Sequence, residues 1–177
     1  MKTALLTVFL ALSAFILPGC LPAAYNVEVY LSPKFKQQLK VVPSLEVDVV
    51  GVSADEGERF AACIVDEYFQ IGGSLRNGTL HRTLYFSSEN ALPKRMKTGD
   101  KMWKQFRQKD ASNLYLLVNL PWESSAPALP KDGRKAAIPL KRSWLWQSRT
   151  RYFEVNPAGI TLLKSRPDEE AAPEGVQ

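Results

Sequence analysis

Two thiols, one imidazole and a cluster of carboxylates are the groups with reactive potential in this 177-residue chain. Cys20 closes the stretch Phe15-Ile16-Leu17-Pro18-Gly19-Cys20, where an uncharged apolar run gives way to proline and ordinary polar sequence. Cys63 lies in the apolar run Phe60-Ala61-Ala62-Cys63-Ile64-Val65, which predicts a buried, inert thiol. His81 alternates with apolar positions and reads as a surface residue of a strand. No His, Cys and carboxylate grouping has metal-ligand spacing. Gly72-Gly73-Ser74-Leu75-Arg76 lacks the closing glycine of a nucleophile elbow, and no phosphate loop or dinucleotide fingerprint occurs. Asp55, Glu56, Glu58, Asp66 and Glu67 crowd one segment. Paired carboxylates can do acid–base work, but helix-start charge and solvated faces explain them more simply. The expectation is a protein that is not an enzyme and uses no cofactor or metal.

Tryptophans and basic residues form the other notable groups. Trp103 reads as core. Trp122 follows an apolar strand and precedes a long loop, and Trp144 and Trp146 share a face if their segment is extended. Core packing is one reading of the last three. The other is an interface anchor, since Trp beside Arg is enriched at such anchors. The formal charge is +5, or +4 without Lys2. The cations fall mainly in two tracts, Lys94 to Lys109 and Lys131 to Arg151, the second including Arg134. Solvated surface explains them, as would contact with an acidic protein patch or anionic lipid. No nucleic-acid-binding motif is present.

The elements that would position these residues are mostly strands. Tyr25–Leu31, Leu45–Val52 and Thr79–Phe86 alternate apolar and polar residues at period two, as half-buried strands do. Asn113–Leu120 is continuously apolar and suits a central strand covered on both faces. Ala136–Leu140 is an edge strand by its Pro139. Tyr152–Val155 and Ile160–Leu163 flank Asn156-Pro157-Ala158-Gly159, a hairpin with turn chemistry. Lys34–Ser44 is a basic loop or short helix. Ser53-Ala54-Asp55-Glu56 has the hydroxyl and the glutamate of a capping box, which predicts a helix over about 54–69 with Phe60, Ile64 and Tyr68 on one face. Thr98-Gly99-Asp100 opens a second helix with Met102, Trp103 and Phe106 inward. The sum is a mainly β chain, a β-sandwich with two additional helices. An α+β sheet with helices on one face is the alternative. Residues 25–165 form the domain, and 166–177 form an acidic, proline-bearing tail with the composition of disorder.

The N-terminus carries a resemblance. Met1-Lys2 and the uncharged stretch Thr3–Leu17 are too short for a comfortable membrane span and the right size for a signal peptide. Leu17-Pro18-Gly19-Cys20 resembles the lipobox of bacterial lipoproteins, with Leu at −3 and Gly at −1, and with Pro18 at −2 where a small residue is commoner. The resemblance implies removal of residues 1–19, acylation of Cys20 and a short tether over 20–24. Leu21, where Asp would favour the inner membrane, implies the periplasmic face of the outer membrane.

Lipobox, first strand, alternating strands, the strand LYLLVNLP, the loop Asp132-Gly133-Arg134, the tryptophan segment and the closing hairpin together resemble TssJ-type lipoproteins of bacterial type VI secretion systems. That resemblance implies a transthyretin-like or immunoglobulin-like sandwich and a non-enzymatic scaffold. Such a scaffold would hold another envelope protein, an inner-membrane-anchored secretion component, against the outer membrane. It places partner contacts on the segment after the first strand, here Lys34, Lys36 and Lys40. Trp122, Arg134, Trp144 and Trp146 complete the candidate partner surface. A small-ligand-binding or hydrolytic envelope lipoprotein is the competing reading, and a deep pocket converging on polar groups would favour it.

Overall fold

Period-two alternation decides the architecture. A computed structural model describes residues 24–40, 42–120, 132–140 and 149–167. Among them the strands are β1 (Asn26–Leu31), β2 (Leu45–Ser53), β3 (His81–Phe86), β4 (Lys94–Met96), β5 (Ala111–Asn119), β6 (Lys135–Pro139), β7 (Thr150–Asn156) and β8 (Gly159–Leu163). The helices are α1 (Lys34–Leu39), α2 (Gly57–Ala62), α3 (Val65–Phe69), α4 (Ser74–Asn77) and α5 (Lys101–Gln108). The strands form two four-stranded sheets, ordered β4-β1-β7-β8 and β3-β2-β5-β6. β1 and β7 run parallel, while every other pairing is antiparallel. The mainly β sandwich expected from sequence is the fold.

The core fills the space between the sheets. Val27, Val29, Phe153 and Val155 come from the first sheet, and Val47, Val49, Leu114, Leu116 and Val118 from the second. Trp103 and Phe106 of α5 and Phe35 of α1 plug its ends. A second cluster lies on the opposite face of the second sheet, where Val50, Val52, Tyr115 and Leu117 meet Phe60, Val65 and Tyr68 of α2 and α3. β5 is therefore buried on both faces, as its unbroken apolar run predicts.

The helix expected over 54–69 is broken. Ser53 and Glu56 make the reciprocal bonds of a capping box: the Ser53 hydroxyl and N–H donate to Glu56 Oε2 at 3.1 and 3.2 Å, and the Glu56 N–H donates to Ser53 Oγ at 3.4 Å. The helix then stops at Ala62, and Cys63 and Ile64 take extended conformations before α3 begins. This two-residue interruption shifts the phase. Val65 is 1% exposed and joins Phe60 and Tyr68 inside, while Ile64, expected on that face, is 37% exposed. The Lys135 ammonium stabilises the break by donating to the carbonyls of Phe60, Ala61 and Cys63 at 2.6–3.1 Å. A cation at a helix C-terminus also meets the negative end of the helix dipole.

The second expected helix forms as α5, with Asp100 as its cap: its carboxylate accepts the Met102 N–H at 2.9 Å. Lys34–Ser44 resolves into α1 and a short linker. The brief strand β4 and the single-turn α4 lie in segments with no apolar periodicity to announce them.

Candidate interaction site

Strand directions give the sandwich two distinct ends. The described chain enters at Ala24 and Tyr25 and runs up β1, and the Asn26 N–H donates to the Arg149 carbonyl at 2.7 Å. At this entry end lie the start of β7, the Met96–Asp100 link into α5, the start of β5 and the end of β6. The far end holds the β1–β2 connection with α1, the Ser87–Pro93 link, the exit of β5 at Leu120 and the β7–β8 turn. There the Ile160 N–H donates to the Gly133 carbonyl at 2.7 Å, joining the start of the β6 segment to the hairpin.

α1 is built to display charge at the far end. Phe35 is fully buried in the inter-sheet core, and the Ser32 N–H donates to the Val155 carbonyl, fixing where β1 turns. Lys34, Lys36 and Lys40 are exposed around that anchor. Lys40 ends the helix in a left-handed conformation, φ 61°, with its N–H on the Lys36 carbonyl. Leu39 and Leu92, exposed apolar residues, belong to the two links at the same end.

Arg134 corrects the sequence-based expectation. It is 5% exposed and its guanidinium is turned inward onto Asp66 of α3 and Asp132. Nη2 donates to Asp66 Oδ2 and to Asp132 Oδ2, both at 2.9 Å, while Nε and the backbone N–H reach Asp132 Oδ1. The Arg134 hydrogen bond holds the Asp66 carboxyl below its ordinary range. Burial pushes the Asp132 carboxyl up, but bonds to Arg134 outweigh it and leave that carboxyl lowered too. A cation so paired clamps α3 to the start of β6.

A second polar cluster escaped the sequence reading. Asp48 of β2 has no exposed surface; it accepts from Arg76 Nε at 2.8 Å, the Thr83 hydroxyl at 2.6 Å and the Tyr68 hydroxyl at 3.1 Å. Arg76 also bridges to Glu46 at 2.8 Å. Burial and the Asp48 charge push the Tyr68 hydroxyl well above its ordinary range. Period-two alternation puts Glu46 and Asp48 on the polar face of β2, but helices cover that face around Asp48, so Asp48 is internal while Glu46 stays partly exposed. The sole signal in sequence was an arginine beside Gly72-Gly73. His81 is half-buried on β3, with Nδ1 3.0 Å from the Thr79 carbonyl oxygen. Cys63 is partly buried, and burial pushes its thiol up, away from reactivity.

Cys20, Trp122, Trp144 and Trp146 lie outside the described residues. Their flanks do not. The segment holding Trp122 leaves from Leu120 and returns at Asp132, both at the far end, whereas the segment holding Trp144 and Trp146 leaves from Leu140 and returns at Arg149 at the entry end. The described flanks of these two segments lie at opposite ends of the sandwich.

No family model matches the chain, and no curated protein does. Solved structures do. The chain shares its fold with type VI secretion proteins. A structure described as the type VI secretion protein TssM C-terminal domain from EAEC superposes with TM-score 0.53 at 10% identity, over 78% of this chain and 99% of that one. Serratia marcescens Lip, described as a membrane-bound component of the type VI secretion system, gives 0.51 at 11% identity, over 82% and 99%. A type VI membrane complex structure gives 0.52 at 12% identity, over 78% and 96%. At such identities the likeness is one of fold.

Proposed function

We propose that this chain is a non-enzymatic scaffold lipoprotein of the bacterial envelope. Residues 1–19 are removed, Cys20 is acylated, and the domain is held at the periplasmic face of the outer membrane. Its far end grips another envelope protein, an inner-membrane-anchored component of a secretion complex. The observation that carries this reading is the opposition of the two ends. The chain enters at one, while the lysines of α1 stand at the other, with the length of β1 between them. A tether at the entry end therefore directs Lys34, Lys36 and Lys40 away from the bilayer. The fold likeness to a membrane-bound secretion component supports the same reading. So does an inter-sheet space filled by Trp103, Phe106, Phe35 and Phe153.

Two measurements test it. Palmitate should label the wild-type protein and not Cys20→Ser; absent or equal label removes the anchor. A photo-crosslinker at Lys36 should capture an envelope protein from intact membranes, and one at Asn77, among the α2–α4 helices, should not. Recovery of small molecules alone would favour the ligand-binding alternative.

A further inference from the structure

The entry end carries several exposed cations, with the exposed acids Asp110, before β5, and Asp55, after β2, nearby. Arg95 lies opposite Glu28 in the β1–β4 register and pairs with it at 3.1 Å. Asp100 caps α5. Lys97, Lys101 and Arg149 are exposed and form no ion pair among the described residues. They surround the point where the chain enters. The Asn26 side chain accepts the Thr98 N–H at 3.0 Å, and its backbone N–H donates to the Arg149 carbonyl. Asn26, Arg95, Lys97, Thr98, Gly99 and Asp100 line one shallow depression beside that point.

We propose that this face docks on anionic phospholipid headgroups of the bilayer to which the chain is tethered. The inference rests on the acylation of Cys20. Five residue steps separate Cys20 from Tyr25, so full extension allows no more than about 18 Å between them. The cations at the entry end are thus held near the bilayer, where each Lys or Arg contributes about 1 kcal/mol of attraction to an anionic surface, within a Debye length of about 8 Å. The lipid supplies proximity and the cations supply orientation, so that the far end points outward. Zwitterionic lipid has no net charge to attract them, which makes the docking composition-dependent and salt-sensitive.

The test uses the full chain, purified with its acyl groups and reconstituted into phosphatidylcholine vesicles with or without phosphatidylglycerol. Gln108→Cys, in a Cys63→Ser background, carries a donor dye, and the headgroups carry the acceptor. Energy transfer should rise with phosphatidylglycerol and fall with added salt. Lys97→Ala and Lys101→Ala should each lower the docked population about fivefold. The control Lys34→Ala/Lys36→Ala, which removes two charges from the far end, should leave it unchanged. Equal transfer on both vesicle types, or an equal loss in the control, would overturn the docking. Intact mass reports the anchor separately. An acylated Cys20 without lipid-dependent transfer sinks this inference alone, and an unacylated Cys20 sinks both readings.

Discussion

The Phe106 ring of α5 lies directly against the backbone of Gly51 in β2: a β-carbon at Gly51 would sit 2.5 Å from two ring carbons. Real β-carbons do not approach so closely. Gly51 is thus the opening through which the α5 aromatic reaches the inter-sheet core. Gly51→Ala should lower stability by about 1–3 kcal/mol through overpacking. Urea unfolding measures it, and adding Phe106→Leu should recover part of the loss, because the ring and the new methyl compete for one space. Strict additivity of the two changes would contradict this packing.

Arg134 sets an acid limit on the fold. Asp66 and Asp132 both titrate below their ordinary values in the folded protein. As pH falls, the unfolded chain therefore takes up protons first, near about pH 4. The stabilisation is fully present above that value and is lost as pH drops through the lower folded values. Arg134→Gln should cost stability at neutral pH and less at about pH 3, where the carboxyls of the unfolded chain are already largely protonated. Equal urea-midpoint shifts at the two pH values would show that the clamp contributes nothing through charge.

The buried Asp48 predicts an asymmetry. Arg76→Ala leaves a fully buried carboxylate with two hydroxyl donors, and should destabilise by about 3–5 kcal/mol. Arg76→Ala combined with Asp48→Asn removes the uncompensated charge and should be less damaging than the single arginine change. Calorimetry of the three variants decides it.

At α1, charge and packing separate. Lys34→Glu, Lys36→Glu and Lys40→Glu together touch no buried contact, so the melting temperature should stay close to that of the wild type while capture of the envelope partner falls. Phe35→Ala removes a fully buried ring and should cost about 3–5 kcal/mol. Unchanged capture by the triple variant would move the partner surface elsewhere.

Local pattern determined most of the strands and the overall class. β2 and β5 were legible because a sheet strand repeats every two residues, and because an unbroken apolar run has no solvated side to offer. The α5 cap and the Asn156–Gly159 hairpin were legible because Asp, Asn, Pro and Gly act on their own neighbours; the Ala158 N–H donates to Asn156 Oδ1 at 2.8 Å. The single helix over 54–69 was not, because its interruption depends on a lysine more than 70 residues away.

The character of the polar residues was decided only by tertiary packing. Alternation marks Asp48 as facing away from the inter-sheet core, and only the layer of short helices makes that side interior. Composition marks Arg134 as one cation in a basic tract, and only the approach of α3 turns it inward. Sequence likewise puts candidate anchors into one tally, whereas strand direction assigns their flanking residues to opposite ends. Neighbour chemistry acts over a few residues and can be read along the chain. Burial, pairing and polarity belong to surfaces brought together from distant segments, and they exist only once the sheets have closed.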